Sequence, residues 1–129
     1  MTTNGSPLTN RVGQVFVPVR DMAAAVTWYR ALLGLPDEGR TAHDGTIHDL
    51  PALGEVGLAL DGTVADFTAD GPPRFFWWVD DLVAVRAHLD SLDVEVVGDV
   101  QDIGSVSFLQ FRDPDGNLLM ACARNYATT

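Results

Sequence analysis

Two polar side chains set among apolar and aromatic neighbours are the best placed in this chain to handle a small molecule. They are Gln14, within Val-Gly-Gln-Val-Phe-Val-Pro-Val (12–19), and Arg74, within Arg-Phe-Phe-Trp-Trp-Val (74–79). A carboxamide both donates and accepts, and a guanidinium presents fixed donors without losing its charge, so the two together suit a carbonyl-bearing or anionic ligand. Phe16, Phe76 and Trp78 alternate with them. Rings in such positions favour a planar ligand, each good pair adding about 0.5–1.5 kcal/mol beyond buried area. A plainer possibility stands beside this one: the Phe-Phe-Trp-Trp run fills a core, and Arg74 is neutralised by Asp61 or another acid. An arginine facing a closed apolar interior is costly unless paired, which favours a pocket open to water or ligand.

The elements that must position these residues come in two similar sets. Val12 to Leu33 is echoed from Pro73 to Leu92: an apolar run, an aspartate (Asp21, Asp81) suited to cap a helix, then an amphipathic stretch. In the first set Met22, Val26, Tyr29 and Leu33 recur at helical spacing before Gly34, which stops the helix. Strands are predicted near Glu38 to Ala42, from Thr46 to Pro51 and from Val56 to Asp61, with a His-Asp-Gly turn at 43–45. After a loop from Gly62 to Pro72 the order restarts with a strand from Arg74 to Val79 and a helical stripe of Leu82, Val85, Leu89 and Leu92. Strands over Val94–Val97, Ser105–Phe111 and Leu118–Ala123 complete it, the last two joined by a tight turn at 112–117. The expected fold is α+β: two tandem βαβββ modules forming a curved mixed sheet or half-barrel around a cavity, helices outside. Residues 1–10 read as a flexible tail and 11–129 as a single domain, with modules at about 11–62 and 73–124.

Strand alternation then assigns directions. Laying Asp21 on Asp81 also lays Gln14 on Arg74, both pairs being 60 residues apart. If Val15, Val17 and Val19 face the helix, then Gln14, Phe16, Arg74, Phe76 and Trp78 face away from it. In the fourth strands Leu58, Leu60, Leu119 and Ala121 belong against the helices, leaving Gly57, Ala59, Asp61, Leu118, Met120 and Cys122 on the cavity side. The predicted ligand-binding set is therefore Gln14, Phe16, Ala59, Asp61, Arg74, Phe76, Trp78, Leu118 and Met120. No catalytic residue is assigned.

Composition narrows the function. With 8 arginines, no lysine and 18 acids, the net charge of -10 repels phosphate backbones, so neither nucleic acid nor an anionic membrane surface is an expected partner. There is no apolar stretch of membrane-spanning length and no basic-then-apolar leader, so a cytoplasmic protein is expected. Cys122 is the only cysteine, which excludes an intrachain disulfide and a cysteine-built zinc site. His43 in a turn, His48 on a middle strand and His88 on the second helix share no ligand spacing, although His48 is free to look into the cavity or out to solvent. Asp113, Asp115 and Asn117 suggest a calcium loop only superficially, lacking its closing glutamate, and turn chemistry accounts for them.

Val-Phe-Val-Pro-Val-Arg-Asp-Met (15–22), Trp-Tyr-Arg-Ala-Leu-Leu-Gly-Leu-Pro (28–36) and Phe-Arg-Asp-Pro-Asp-Gly-Asn-Leu-Leu (111–119) together resemble the vicinal oxygen chelate superfamily. That superfamily holds glyoxalase I, bleomycin and fosfomycin resistance proteins and extradiol dioxygenases; the likeness runs over about residues 11–124. It implies a fold and a site location rather than a reaction. Metal-using members place His, Gln or Glu on the first and fourth strands of each module, which here carries over to Gln14, Ala59 or its neighbour Leu60, Arg74 and Met120. Only Gln14 is of the usual ligand type, so no metal and no other cofactor are expected.

The resemblance then implies a bleomycin-resistance-like binding protein, sequestering a small aromatic molecule without metal. A homodimer whose paired cavities use both subunits is implied with it. The alternative is a glyoxalase- or dioxygenase-like enzyme, a lyase or isomerase with an atypical or absent metal centre, in which Asp61 or His48 would have to act as base. A protein-interaction or vestigial module is a third possibility. The net charge favours cationic ligands at long range, but Arg74 dominates at contact because the diffuse field is screened within about 8–10 Å. A neutral or anionic aromatic ligand is expected.

Overall fold

Asp21 and Asp81 do what their positions suggest. Each begins a helix in extended conformation, the Asp21 carboxylate accepting from Ala24 N and the Asp81 carboxylate from Val83 N and Ala84 N. The computed structural model describes residues 5–36, 39–42, 45–51, 54–64 and 66–125. Its elements are β1 (Gln14–Pro18), α1 (Met22–Leu33), β2 (Arg40–Ala42), β3 (Ile47–Leu50), β4 (Gly57–Asp61), β5 (Trp77–Trp78), α2 (Leu82–Ser91), β6 (Val96–Asp102), β7 (Val106–Arg112) and β8 (Leu118–Arg124). This is the α+β order expected, βαβββ twice. Gly34 closes α1 in the left-handed region at φ 64°, where a side chain would be strained, and its N–H donates to Arg30 O.

In each module the first strand pairs in parallel with the last, giving two four-stranded mixed sheets, β1-β4-β3-β2 and β5-β8-β7-β6, with no closed barrel. The registers are equivalent: Val17 lies beside Leu60 and Trp77 beside Ala121. Val17, Leu50 and Leu60 on one sheet and Leu109, Phe111, Leu119 and Ala121 on the other join Tyr29, Leu32, Leu82 and Leu89 of the helices in a single buried core. The helix-bearing surfaces of both sheets thus contribute to the contact between modules. Leu32 and Leu33 of α1 meet Val85 and Leu89 of α2 over Trp77, Phe111 and Ala121, around a cavity of about 110 Å³. His88 ties the helices together, Nε2–H donating to Leu32 O at 2.8 Å.

A second clasp uses the β7–β8 turn. Asp113 and Asn117 are buried; Tyr29 OH donates to Asp113 Oδ2 at 2.7 Å, and Asn117 Nδ2 donates to Pro18 O at 2.8 Å. Asp115 accepts from Arg20 N, and its carboxylate also pairs with the Arg20 guanidinium. Turn chemistry alone therefore does not account for these residues: they bind the second module to the first.

Three other expectations change. The strand predicted over Arg74–Val79 shortens to Trp77–Trp78. Pro72 and Pro73 immediately before it have no N–H to offer a ladder, and Arg74 sits in a bend. β6 lengthens instead, running from Val96 to Asp102 with a register shift between Val97 and Gln101 around Gly98, because β7 offers a long antiparallel partner. His48 faces neither cavity nor solvent: it pairs with Leu60 on the helix side of its sheet, is 4% exposed, and its Nδ1 lies 2.7 Å from Thr41 Oγ1. Glu38, His43 and Asp44 lie outside the described residues. Among the described residues no helix is long and apolar enough to cross a membrane.

Candidate functional site

Register fixes what lies on the face of each sheet turned away from the helices. On the first sheet Gln14 pairs with Gly57, Phe16 with Ala59, and Pro18 with Asp61, while β3 adds Asp49 beside Ala59. Gly57 leaves room for the Gln14 side chain to lie over it, a Cβ there meeting Gln14 Cγ at 3.5 Å. Gln14 Nε2 donates to Asp49 Oδ1 at 3.0 Å, so the carboxamide is held by its own sheet rather than by Arg74. Asp61 is also engaged, accepting from Thr63 N at 2.8 Å and from Thr63 Oγ1 at 2.6 Å.

The second sheet presents Trp78, Cys122 and Phe108 in one row and Met120 and Gln110 in the next. Phe76 meets Trp78 edge to face, ring centres 4.9 Å apart, which puts it on the same side. Gln110 Nε2 approaches Met120 Sδ at 3.8 Å. Leu118 and Arg112 pair at the start of β8, and Arg124 at its end lies with its Cζ 3.7 Å over the Trp78 ring. Cys122 is buried, and desolvation pushes its thiol above its ordinary pKa, away from the reactive thiolate form.

These faces are open. Phe16 is 49%, Phe76 41% and Trp78 50% exposed, whereas isolated large rings in a filled core would be fully covered. The alternation argument therefore assigned faces correctly for Gln14, Phe16, Ala59, Asp61, Trp78, Leu118 and Met120. What one copy of the chain does not do is gather them: the first four lie on one sheet, the last three with Phe76 on the other. Cavities of about 630, 470 and 110 Å³ lie elsewhere, along α1 and between the modules, and of the predicted set only Trp78 borders one. Arg74 is exposed, precedes β5, and has no hydrogen-bond or ion-pair partner among the described residues. Asp49, Gln110 and Arg124 share these faces and were not predicted; extending the same alternation along β3, β7 and β8 would have found them.

A divalent metal does not fit the four positions where metal-using relatives of such a fold carry ligands. Ala59 has no donor, Arg74 is cationic and Met120 is a soft thioether, which leaves only the Oε1 of Gln14 as a hard donor, too few ligands to hold an ion. Among the described residues no three His, Cys, Asp or Glu side chains are grouped to hold an ion.

Comparison with known proteins agrees with this architecture. The family model described as "Glyoxalase/Bleomycin resistance protein/Dioxygenase superfamily" matches residues 11–121. Among solved structures, the chain is similar to TnmS3, an antibiotic binding protein from Streptomyces sp. CB03234, with 23% identity, TM-score 0.73, and 91% of this chain and 98% of that one covered. It is similar to a lactoylglutathione lyase from Agrobacterium tumefaciens at 19% identity and TM-score 0.71, covering 92% and 96% of the two chains. The oxidase ChaP-H1 follows at 16% identity and TM-score 0.69, covering 92% and 99%. No curated protein sequence matches significantly. At these identities the structural likeness concerns the fold.

Proposed function

The chain belongs to the glyoxalase/bleomycin resistance protein/dioxygenase superfamily, and within it we propose a cytoplasmic, metal-independent binding protein that sequesters a small aromatic compound. The observation that carries this reading is the pair of half-exposed aromatic sheet faces whose inherited ligand positions hold no metal-binding set. Burying a ring the size of Trp78 contributes about 1.5–3 kcal/mol, so a flat apolar ligand has a ready source of affinity there. TnmS3, an antibiotic binding protein, shares the fold.

The working unit in this proposal is a homodimer, each open face of one copy covered by the complementary face of the other. Two apolar faces left in water by one copy become the walls of two enclosed cavities in a symmetric pair. Sedimentation velocity tests the assembly, with a dimer expected at micromolar concentration. Tryptophan quenching against a panel of aromatic antibiotics tests the ligand class; the proposal expects saturable quenching that weakens in Trp78→Phe, and no saturable response across the panel refutes it.

Catalysis of a lyase or oxidase type has fold likeness behind it, but neither candidate base is well placed for it. Asp61 is tied to Thr63, and His48 is buried on the helix side. Elemental analysis separates the two: one tightly bound divalent metal per chain would favour the enzyme.

A further inference from the structure

Arg124 is the unexpected member of the open face of the second sheet. Its guanidinium carbon sits 3.7 Å over the ring of Trp78, which is itself half exposed and flanked edge-on by Phe76. In a chain with 18 acids and 8 arginines a neutralising carboxylate is easy to find. Arg11, Arg20, Arg86 and Arg112 each have one within 4 Å. Arg124 has none among the described residues, and its guanidinium makes no hydrogen bond to them. A cation–π contact at that distance uses the charge of the guanidinium without using its N–H groups as hydrogen-bond donors. Alternation in β8 keeps it on the open side, since it lies two residues beyond Cys122, which pairs with Trp78. A positioned cation with free donors at the rim of an aromatic surface is the arrangement that reads a carboxylate attached to a ring.

We infer that Arg124 selects the charge of the ligand, so that the compound bound is a planar aromatic carboxylate, its ring against Phe76 and Trp78 and its two oxygens taken by the Arg124 fork. This deepens the proposed function and rests on it. Arg124 is a specificity-determining residue in this account, and the stack on Trp78 sets its direction.

The test is titration calorimetry with two isosteric probes, 2-naphthoate and 2-naphthamide, on the full chain and on Arg124→Ala and Arg124→Lys, with circular dichroism and sedimentation run on each. The expected result is that 2-naphthoate binds about tenfold or more tightly than 2-naphthamide. Arg124→Ala abolishes that preference by weakening naphthoate alone, and Arg124→Lys restores only part of it because an ammonium lacks the fork. Equal affinities for the two probes in the unmodified protein overturn this inference while leaving aromatic sequestration standing. Binding of neither probe counts against both. Equal losses for both probes in Arg124→Ala show that the residue merely supports Trp78, and a weakened dimer with the naphthoate preference unchanged shows that it pairs with a second copy; either result overturns the assignment.

Discussion

Replacing Tyr29 by Phe removes one oxygen from the buried clasp between modules and leaves the ring that packs the core. Tyr29 is fully buried, and its hydroxyl donates to Asp113 Oδ2 at 2.7 Å. The carboxylate keeps three other donors, Asp115 N, Asn117 N and Asn117 Nδ2, each at 2.9 Å. A hydrogen bond to a charged group contributes about 1.5–3 kcal/mol, and with three donors remaining the lower part of that range applies, about 1.5–2 kcal/mol. For a chain of 129 residues this lowers Tm by roughly 5–10 °C. The pH dependence provides an internal control. Burial, and next the Asp113 charge, hold the Tyr29 phenol well above its ordinary pKa of 10.0. A pKa raised on folding means stability fully present below the unfolded value and lost as pH rises above it, because only the unfolded chain then releases the proton. The gap between the two proteins should therefore be nearly constant at pH 7–9 and about 1.4 kcal/mol smaller at pH 11 than at pH 8. Ionisation of Cys122 is common to both and cancels. Urea unfolding at pH 8 and at pH 11 measures this; a variant as stable as the parent at pH 8, or a gap that grows with pH, would refute the clasp.

Other outcomes follow from the same structure. Gly39→Ala places a Cβ against the backbone carbonyl oxygen of Asp49 at a residue with φ +89°, so it should destabilise by more than the ~1 kcal/mol ordinarily charged to such conformations, read as a fall in urea midpoint. Asp81→Ala removes the acceptor for Val83 N and Ala84 N and should cost about 1 kcal/mol in the same assay, with α2 fraying first in hydrogen exchange. Trp78→Ala should cost about 1–2 kcal/mol in the same urea assay, from the buried half of the ring and its contact with Phe76, while weakening an aromatic ligand at least tenfold in calorimetry.

The parts of the fold that local chemistry controls were legible before any coordinates. Asp21, Asp81 and Gly34 act within one helical turn, and period-2 alternation placed Phe16, Trp78 and Met120 on the correct faces. What alternation carries no information about is how two modules pack. The repeat put Gln14 beside Arg74, and the chain does not bring them together, because the packing of the modules depends on long-range contacts such as Asn117 with Pro18 and His88 with Leu32. Gln14 instead pairs with Asp49, on the predicted Thr46–Pro51 strand, to which the alternation argument assigned no faces. The shortening of β5 was written in Pro72 and Pro73, whose missing donors were outweighed in the reading by the β-forming Phe-Phe-Trp-Trp run. His48 shows the same limit: its direction follows from pairing with Leu60, and register is a tertiary quantity.

Metal-independent capture of an aromatic ligand on these sheet faces is the central claim, and calorimetry of exhaustively EDTA-treated protein against the aromatic antibiotic panel tests it most directly. The account predicts saturable binding of at least one planar compound with affinity unchanged by chelation and lowered by Trp78→Ala. Binding that disappears on chelation and returns with a divalent metal would contradict it.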